Sequence, residues 1–490
     1  MLPYISSLLS DDKWITPIAI TKDFNPQFSF SQELQQILYG KKLLMDEIPF
    51  SSKEIDEHFE HGYVGFIPGL TEKTLSSKKQ FQCSRCGTSR KHHFYSFPCA
   101  RCGKQCVYCR NCIMMGKITL CSKLYVWTGP PLHHKPQQNP LSWDGKLSEG
   151  QQSASQAVLD VVHSKKTLLV WAVCGAGKTE VLFQGMDQAL QNGKTVCIAT
   201  PRTDVVLELA PRIKKAFPHT AIAALYGGSE EKHLPAQLVI TTTHQLLRFY
   251  QAFDVIIIDE VDAFPFSSDA SLQFAVEKAK KPHSAIIYLT ATPSQKIQHQ
   301  ARKGIIECVK IPARYHRHPI PVPILKWTGN WKKSLATGKI PKPIFHWIQT
   351  RLQNKTPFLL FFGNIEQMEK YLPLFQKLYS ELLSVHAEDP KRKEKVQALR
   401  MGKVLGLLTT TILERGVTIP KLDVAVIGAE EDIFTESALV QIAGRVGRSA
   451  AHPTGDVTFF HYGKTEAMLE AISHIKSMNL EAKKRGLIDV

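Results

Sequence analysis

Between residues 147 and 313 short apolar runs recur at near-regular intervals: TLLVWAV, TVCIAT, LVITTT, DVIIIDE and SAIIYLTAT. Stretches such as TEVLFQGMDQALQNG, with apolar residues at helical spacing, separate them. Short, almost continuously apolar runs rich in β-branched residues predict strands buried on both faces. Their alternation with helices predicts a parallel sheet covered on both sides. After the proline-rich RYHRHPIPVPILKW the alternation resumes with PFLLFFG, LLSVHA, VLGLLTTT, DVAVIGA and DVTFFHYG. The pattern therefore predicts two α/β domains in tandem, at 147–312 and 313–490, each close to the ~150-residue size of an ordinary domain.

The first part of the chain reads differently. Residues 1–75 hold short apolar patches and no nameable motif, and residues 76–125 are rich in cysteine. Residues 126–146 contain TGPPLHHKPQQNP, whose prolines remove backbone donors, and read as a linker. No run approaches the ~18 apolar residues of a membrane span. The start MLPYISSLLSDDKW lacks a signal peptide's charged opening and long apolar core, which leads to the expectation of a cytoplasmic protein.

Charge changes the picture. The net charge of +17 on 490 residues points to a polyanionic partner, most often nucleic acid. Between Lys73 and Trp143 there is no Asp or Glu but there are twelve Lys and Arg. This window contains the cysteine cluster and stays basic even with eight thiolates wrapped around two zinc ions.

AVCGAGKTE follows an apolar run and precedes a helical pattern, as a phosphate-binding P-loop does, with Ala172 in place of the first glycine. Cys174, Gly175, Ala176 and Gly177 would wrap backbone amides around the phosphates. Lys178 would reach the β- and γ-phosphates, and Thr179 would hold Mg²⁺. In VIIIDEVDAF, Asp259 ends a strand, where it can hold Mg²⁺ through water, and Glu260 is placed to orient or deprotonate the attacking water.

Eight of the eleven cysteines fall in one segment: Cys83, Cys86, Cys99, Cys102, Cys106, Cys109, Cys112 and Cys121. In a reducing compartment paired C-x-x-C units read as tetrahedral thiolate zinc. CSRCG and CARCG each put two sulfurs on one metal through a tight turn that Gly87 and Gly103 permit. Two pairings have legal spacing. One is sequential, 83/86/99/102 with 106/109/112/121; the other is nested, 83/86/109/112 with 99/102/106/121. Cys174, Cys197 and Cys308, in or near apolar runs, are expected to be small buried hydrophobes.

With LTAT at 289–292, TTTILERG at 409–416 and QIAGRVGR at 441–448, the second half resembles a superfamily-2 helicase or translocase core: two RecA-like domains with ATP between them. That resemblance implies that Arg445 and Arg448 face the nucleotide, one or both stabilising charge on the leaving γ-phosphate as an arginine finger does, that Gly416 belongs to the nucleotide site, and that Gln151 of LSEGQ reads adenine. It further implies strand-tracking roles for Arg202, Thr203, Gly227, Gly228, Thr242 and Thr243 in the first domain. Gly363, Asn364, Thr410 and Thr411 take the same part in the second. These residue types suit phosphate contact without base reading. One departure is Val417-Thr418 after Arg415-Gly416, where such enzymes often carry an acidic residue.

The cysteine segment ahead of AVCGAGKTE, together with TTHQLLRFYQAFDVIIIDEVDAFP and QIAGRVGR, resembles the ComFA family, late-competence DNA-uptake ATPases, over roughly residues 80–470. The resemblance implies a cytoplasmic ATPase at the inner membrane face, using ATP, Mg²⁺ and Zn²⁺ on incoming single-stranded DNA. Its implied partners are a phosphoribosyltransferase-like competence protein, a DNA-processing protein and the membrane uptake channel. It also implies that Cys83, Cys86, Cys109 and Cys112 form one zinc site, with Cys99, Cys102, Cys106 and Cys121 as a second. The competing readings are a primosomal replication-restart helicase, which instead carries its cysteines within the second motor domain, and an ATP-gated zinc-dependent scaffold.

Overall fold

The computed structural model describes residues 19–75, 78–414 and 419–489. In the N-terminal module, helices α1 (Gln32–Leu38) and α2 (Ser52–Glu60) precede six strands: β1 (Val64–Pro68), β2 (Leu70–Leu75), β3 (Lys78–Cys83), β4 (Phe94–Cys99), β5 (Lys104–Cys109) and β6 (Lys123–Trp127). Serine caps start both helices: Ser31 accepts from the Leu34 amide, and Ser51 forms a reciprocal box with Glu54. The strands pair antiparallel as β1–β6, β2–β3 and β4–β5. The β1–β6 ladder crosses the boundary expected at residue 75, so the first segment and the cysteine segment share one sheet and one small core. Leu34, Leu38, Leu43, Ile55 and Val64 form that core, with Trp127 packed against it.

The chain from 128 to 144, within the expected linker, forms neither helix nor strand and is tied to the first motor domain. Gln137 bonds Gln237 at 2.7 Å, and the Ser142 amide donates to the Ala216 carbonyl at 2.7 Å.

That domain holds α3 (Glu149–Ser164), β7 (Thr167–Ala172), α4 (Phe183–Gln191), β8 (Val196–Thr200), α5 (Thr203–Ala216), β9 (Ile222–Leu225), β10 (Leu238–Thr242), β11 (Phe253–Asp259), α6 (Ala270–Ala279), β12 (Lys280–Thr290) and β13 (Glu307–Ile311). The sheet order is β13-β7-β12-β11-β8-β10-β9, parallel from β11 through β9. Every residue of β8 and β10 is buried, as expected of strands covered on both faces. Cys197 is buried in β8, but Cys308 is exposed, because β13 is an edge strand with an open side.

The second motor domain has β14 (Ile324–Trp327), β15 (Phe358–Phe361), β16 (Leu383–Val385), β17 (Gly406–Thr409), β18 (Asp423–Ile427) and β19 (Val457–His461). They form a wholly parallel sheet in the order β14-β19-β18-β15-β17-β16. Trp331, Trp347, Phe358, Phe362, Phe375 and Phe460 dominate the core on its face. The expected class is what forms: two parallel-sheet RecA-like domains behind a cysteine-rich module. By packing, the chain divides into two compact units, residues 19–144, 158–168 and 183–288 in one and 145–157, 169–182 and 289–489 in the other.

Candidate functional site

The P-loop follows β7 directly. Gly175 and Gly177 take φ of +83° and +70°, a region that L side chains rarely enter. Regular helix begins only at Phe183, after a 3₁₀ turn over Glu180–Leu182, later than the sequence pattern suggests. The carbonyls of Ala176 and Gly177, which would open an α-helix, are taken instead by the Gln151 side chain. Its Nε2 donates to them at 3.0 and 3.2 Å while its Oε1 accepts from the Ser148 amide at 2.9 Å. Gln151 is buried with its amide group committed to the loop backbone. Lys178 and Thr179 are half-buried at the end of this loop.

Asp259 is the last residue of β11, and its Oδ1 accepts from the Glu260 amide at 2.9 Å. Glu260 adopts φ +57°, a left-handed conformation of the kind that concentrates at functional turns. Around QIAGRVGR the two arginines differ. Arg445 is 2% exposed, and its Nε donates to the Glu414 carbonyl at 2.7 Å. Arg448 is half-buried, with its Nε 3.0 Å from the Gly444 carbonyl. Gly416 lies outside the described residues.

The strand-tracking candidates gather at the carboxyl ends of parallel strands, where open α/β sheets place their ligands. Arg202 and Thr203 follow β8, Gly227 and Gly228 follow β9, and Thr242 and Thr243 close β10. β8, β10 and β9 are adjacent in the sheet. Thr203, Gly227 and Gly228 are exposed. Thr242 and Thr243 are buried, and the Thr243 amide bonds the Thr200 carbonyl at 2.9 Å. In the second domain Gly363 and Asn364 follow β15, and Thr410 and Thr411 follow its neighbour β17. Asn364 is exposed and caps the next helix through the Gln367 amide at 2.8 Å.

The cysteines assemble into two clusters, each with its four sulfurs within 4.8 Å of one another: Cys83, Cys86, Cys109 and Cys112, and Cys99, Cys102, Cys106 and Cys121. Of the two spacings open from sequence, the fold brings together the nested one. The cause is β5. Cys106 and Cys109 stand three apart on this strand, so their side chains leave by opposite faces and cannot share an ion. C-x-x-C in a turn behaves otherwise. The amides of Gly87 and Gly103 bond back to the carbonyls of Cys83 and Cys99 at 2.8 and 2.9 Å, with φ of +75° and +66°, and fold each pair onto one point.

The first cluster is fully buried, with Cys83–Cys112 and Cys86–Cys109 sulfurs each 3.7 Å apart. Burial pushes the Cys83 thiol well up. Bonds from its three neighbours push Cys86 well down, and these same contacts raise Cys112. Four crowded thiols of this kind are a donor set for a tetrahedral Zn²⁺, whose charge removes the conflict.

Sequence reasoning missed what lies beneath this cluster. Arg85, within the first C-x-x-C, is completely buried and pairs with Glu47, and Arg248 of the motor domain reaches the same carboxylate at 2.6 Å. Lys278 of α6 donates to the carbonyls of Arg85 and Leu247, each at 2.7 Å. Burial, with Lys42 and Arg85 nearby, pulls its ammonium down to about 7. Asn111 donates to Ser271 of α6 at 2.7 Å. A Cβ at Gly87 would stand 2.7 Å from the Phe274 ring. The four-thiol cluster is thus seated on α6. These partners are far apart in sequence, and nothing local marks them.

Comparisons with known proteins agree with this layout. Residues 24–126 match the model of the competence protein ComFA N-terminal domain. Residues 144–295 match that of the type III restriction enzyme res subunit, and residues 343–450 match the helicase conserved C-terminal domain. The competence protein ComFA of Bacillus subtilis is 49% identical over 461 residues, covering 93% of this chain and 97% of its own. That of Streptococcus pneumoniae is 37% identical, covering 84% and 94%. The ATP-dependent DNA helicase RecG of Helicobacter pylori is 27% identical over 62% of this chain and 49% of its own. In fold, the chain is similar to Mycobacterium smegmatis helicase Lhr bound to ssDNA and AMP-PNP, with a TM-score of 0.50 and 15% identity. That match covers 68% of this chain and 50% of the other. The P-loop, the matched helicase domains and the paired parallel sheets are those of an ATP-dependent, helicase-type enzyme. With its cysteine-rich module ahead of that core, and with likeness to two ComFA proteins over most of its length, the chain belongs to the ComFA family of competence proteins.

Proposed function

We propose that this protein is an ATPase stimulated by single-stranded DNA that translocates along the strand and drives import of transforming DNA during natural competence. The observation that carries the reading is the family relationship, 49% identity across 93% of the chain. In this reading Lys178 binds the β- and γ-phosphates of ATP, and Thr179 and Asp259 hold Mg²⁺. Glu260 orients the attacking water, and Arg448 offsets charge on the departing γ-phosphate. Arg445 supports that loop from below. Arg202, Thr203, Gly227, Gly228, Gly363, Asn364, Thr410 and Thr411 touch the DNA backbone through hydroxyls, amides and one guanidinium. Thr242 and Thr243 shape the same edge from inside the sheet.

Each four-thiol cluster holds one Zn²⁺, which cross-links loops too short to pack alone. The enzyme acts in the cytoplasm at the membrane face, beside the uptake channel. The phosphoribosyltransferase-like and DNA-processing proteins are its partners there. No helix among the described residues is long and apolar enough to cross a membrane.

The test is ATP turnover with single-stranded DNA, duplex DNA or none, with zinc content measured on the same sample. Single strands are expected to raise turnover most, and Lys178→Ala to abolish it. Turnover indifferent to single-stranded DNA would sink the motor reading.

A further inference from the structure

We infer that Arg314 is a positioning residue for ATP hydrolysis, a buried guanidinium that fixes the arginine loop at 444–448 against the P-loop. The inference rests on the nucleotide-site reading above and deepens it. Arg314 lies three residues past β13, in a basic stretch that sequence alone marks only as a domain boundary. It is 1% exposed. Its Nε donates to the Cys174 carbonyl of the P-loop at 3.2 Å. Its Nη1 and Nη2 donate to the carbonyls of Gly447 and Gly444 at 2.6 and 3.3 Å. One planar fork thus spans two segments that meet only through the fold.

Neighbouring contacts run the same way. The Tyr315 amide reaches the Gly175 carbonyl at 3.4 Å, and His316 Nε2 lies 3.1 Å from the Gly447 carbonyl. The Cys174 thiol donates to Gln441 Oε1 at 3.0 Å. A Cβ at Gly444 would stand 2.4 Å from that of Cys174, so the loop touches the P-loop only because this position is glycine. The Gly444 carbonyl accepts from both Arg314 and Arg448, at 3.3 and 3.0 Å. Arg314 therefore holds the oxygen on which Arg448 is anchored, and through it the direction in which Arg448 is presented. A lysine offers no fixed fork and cannot make the same three bonds.

Steady-state ATP turnover of the full chain with single-stranded DNA tests this, using Arg314→Gln, Arg314→Lys, Arg448→Gln and the Arg314→Gln/Arg448→Gln double variant. Thermal unfolding and binding of a fluorescent ATP analogue are measured on each. Arg314→Gln is expected to lower kcat about tenfold or more with KM for ATP within about threefold. Arg314→Lys is expected to resemble it. The double variant should be no slower than Arg448→Gln alone, because a residue acting through another adds nothing once that one is gone. The inference is overturned by multiplicative losses in the double variant, by a raised KM at unchanged kcat, or by lost analogue binding with a collapsed Tm. Wild-type turnover in Arg314→Gln beside an inactive Arg448→Gln overturns it alone. Full activity in Arg448→Gln removes the nucleotide-site reading as well.

Discussion

Arg445 and Arg448 look equivalent in QIAGRVGR, yet their surroundings differ, and under the proposed function that difference predicts different losses. Arg445 is buried and satisfies the Glu414 carbonyl. Removing it takes a charged donor from that buried carbonyl, a cost of about 1–3 kcal/mol before any cavity is counted. Arg445→Ala is therefore expected to lower the unfolding temperature by several degrees as well as slowing hydrolysis. Arg448→Ala, taken from a half-buried site, should slow hydrolysis about a hundredfold or more with unfolding unchanged to within about 1 °C. Calorimetry beside turnover separates the two, and equal thermal losses would refute the division. Gln151 offers a second contrast. Its amide holds the carbonyls of Ala176 and Gly177, so Gln151→Ala should weaken ATP and GTP alike by loosening the loop. A loss confined to ATP, read by competition binding, would return Gln151 to the adenine-reading role expected from its motif.

At the scale of elements, β5 and α6 explain most of the N-terminal module. The strand turns the two cysteines of one C-x-x-C to opposite faces, and the helix receives the fully buried cluster through Lys278, Ser271 and Phe274. The nested pairing was within reach of the sequence for anyone placing KQCVYC on a strand, since alternation alone separates Cys106 from Cys109. The seat on α6 was not. Glu47, Arg85 and Arg248 read as unrelated charges until the fold brings Glu47 and Arg248, both half-buried, onto the buried Arg85. The buried strands of the motor domains were legible because their apolar runs are local and continuous, and the P-loop because its chemistry sits in consecutive residues. This asymmetry between the two clusters has a consequence. Cys109→Ser should release one zinc and speed amide exchange in α6, because the loops that carry Arg85 and Asn111 lose their cross-link. Cys121→Ser should release the other zinc and leave α6 protected. Metal content and hydrogen exchange on the two variants decide it, and matching behaviour of α6 in both would undo the assignment.

For the whole molecule, the question is where the positive charge acts. The strand-tracking positions of the motor domains are mostly glycine and threonine, with Arg202 the one cation among them. In the proposed role they would neutralise few phosphates. The chain nonetheless carries a net charge of +17, and residues 73–143 contribute twelve cations and no acid. Arg90, Lys91, Arg101, Lys104 and Arg110 of that window are all exposed on the cysteine-rich module. If the module holds the strand while the motor moves it, affinity for single-stranded DNA falls steeply with salt. Each phosphate neutralised adds roughly 0.7 to the slope of log K against log salt. Replacing Arg90, Lys91, Arg101 and Lys104 by glutamine should then flatten the slope by up to about 3, while turnover at saturating DNA changes little. Fluorescence anisotropy of a labelled oligonucleotide across a salt series reads this directly. An unchanged slope would assign the basic face to protein partners instead, and would leave the motor domains to hold the strand by shape and hydroxyl contacts.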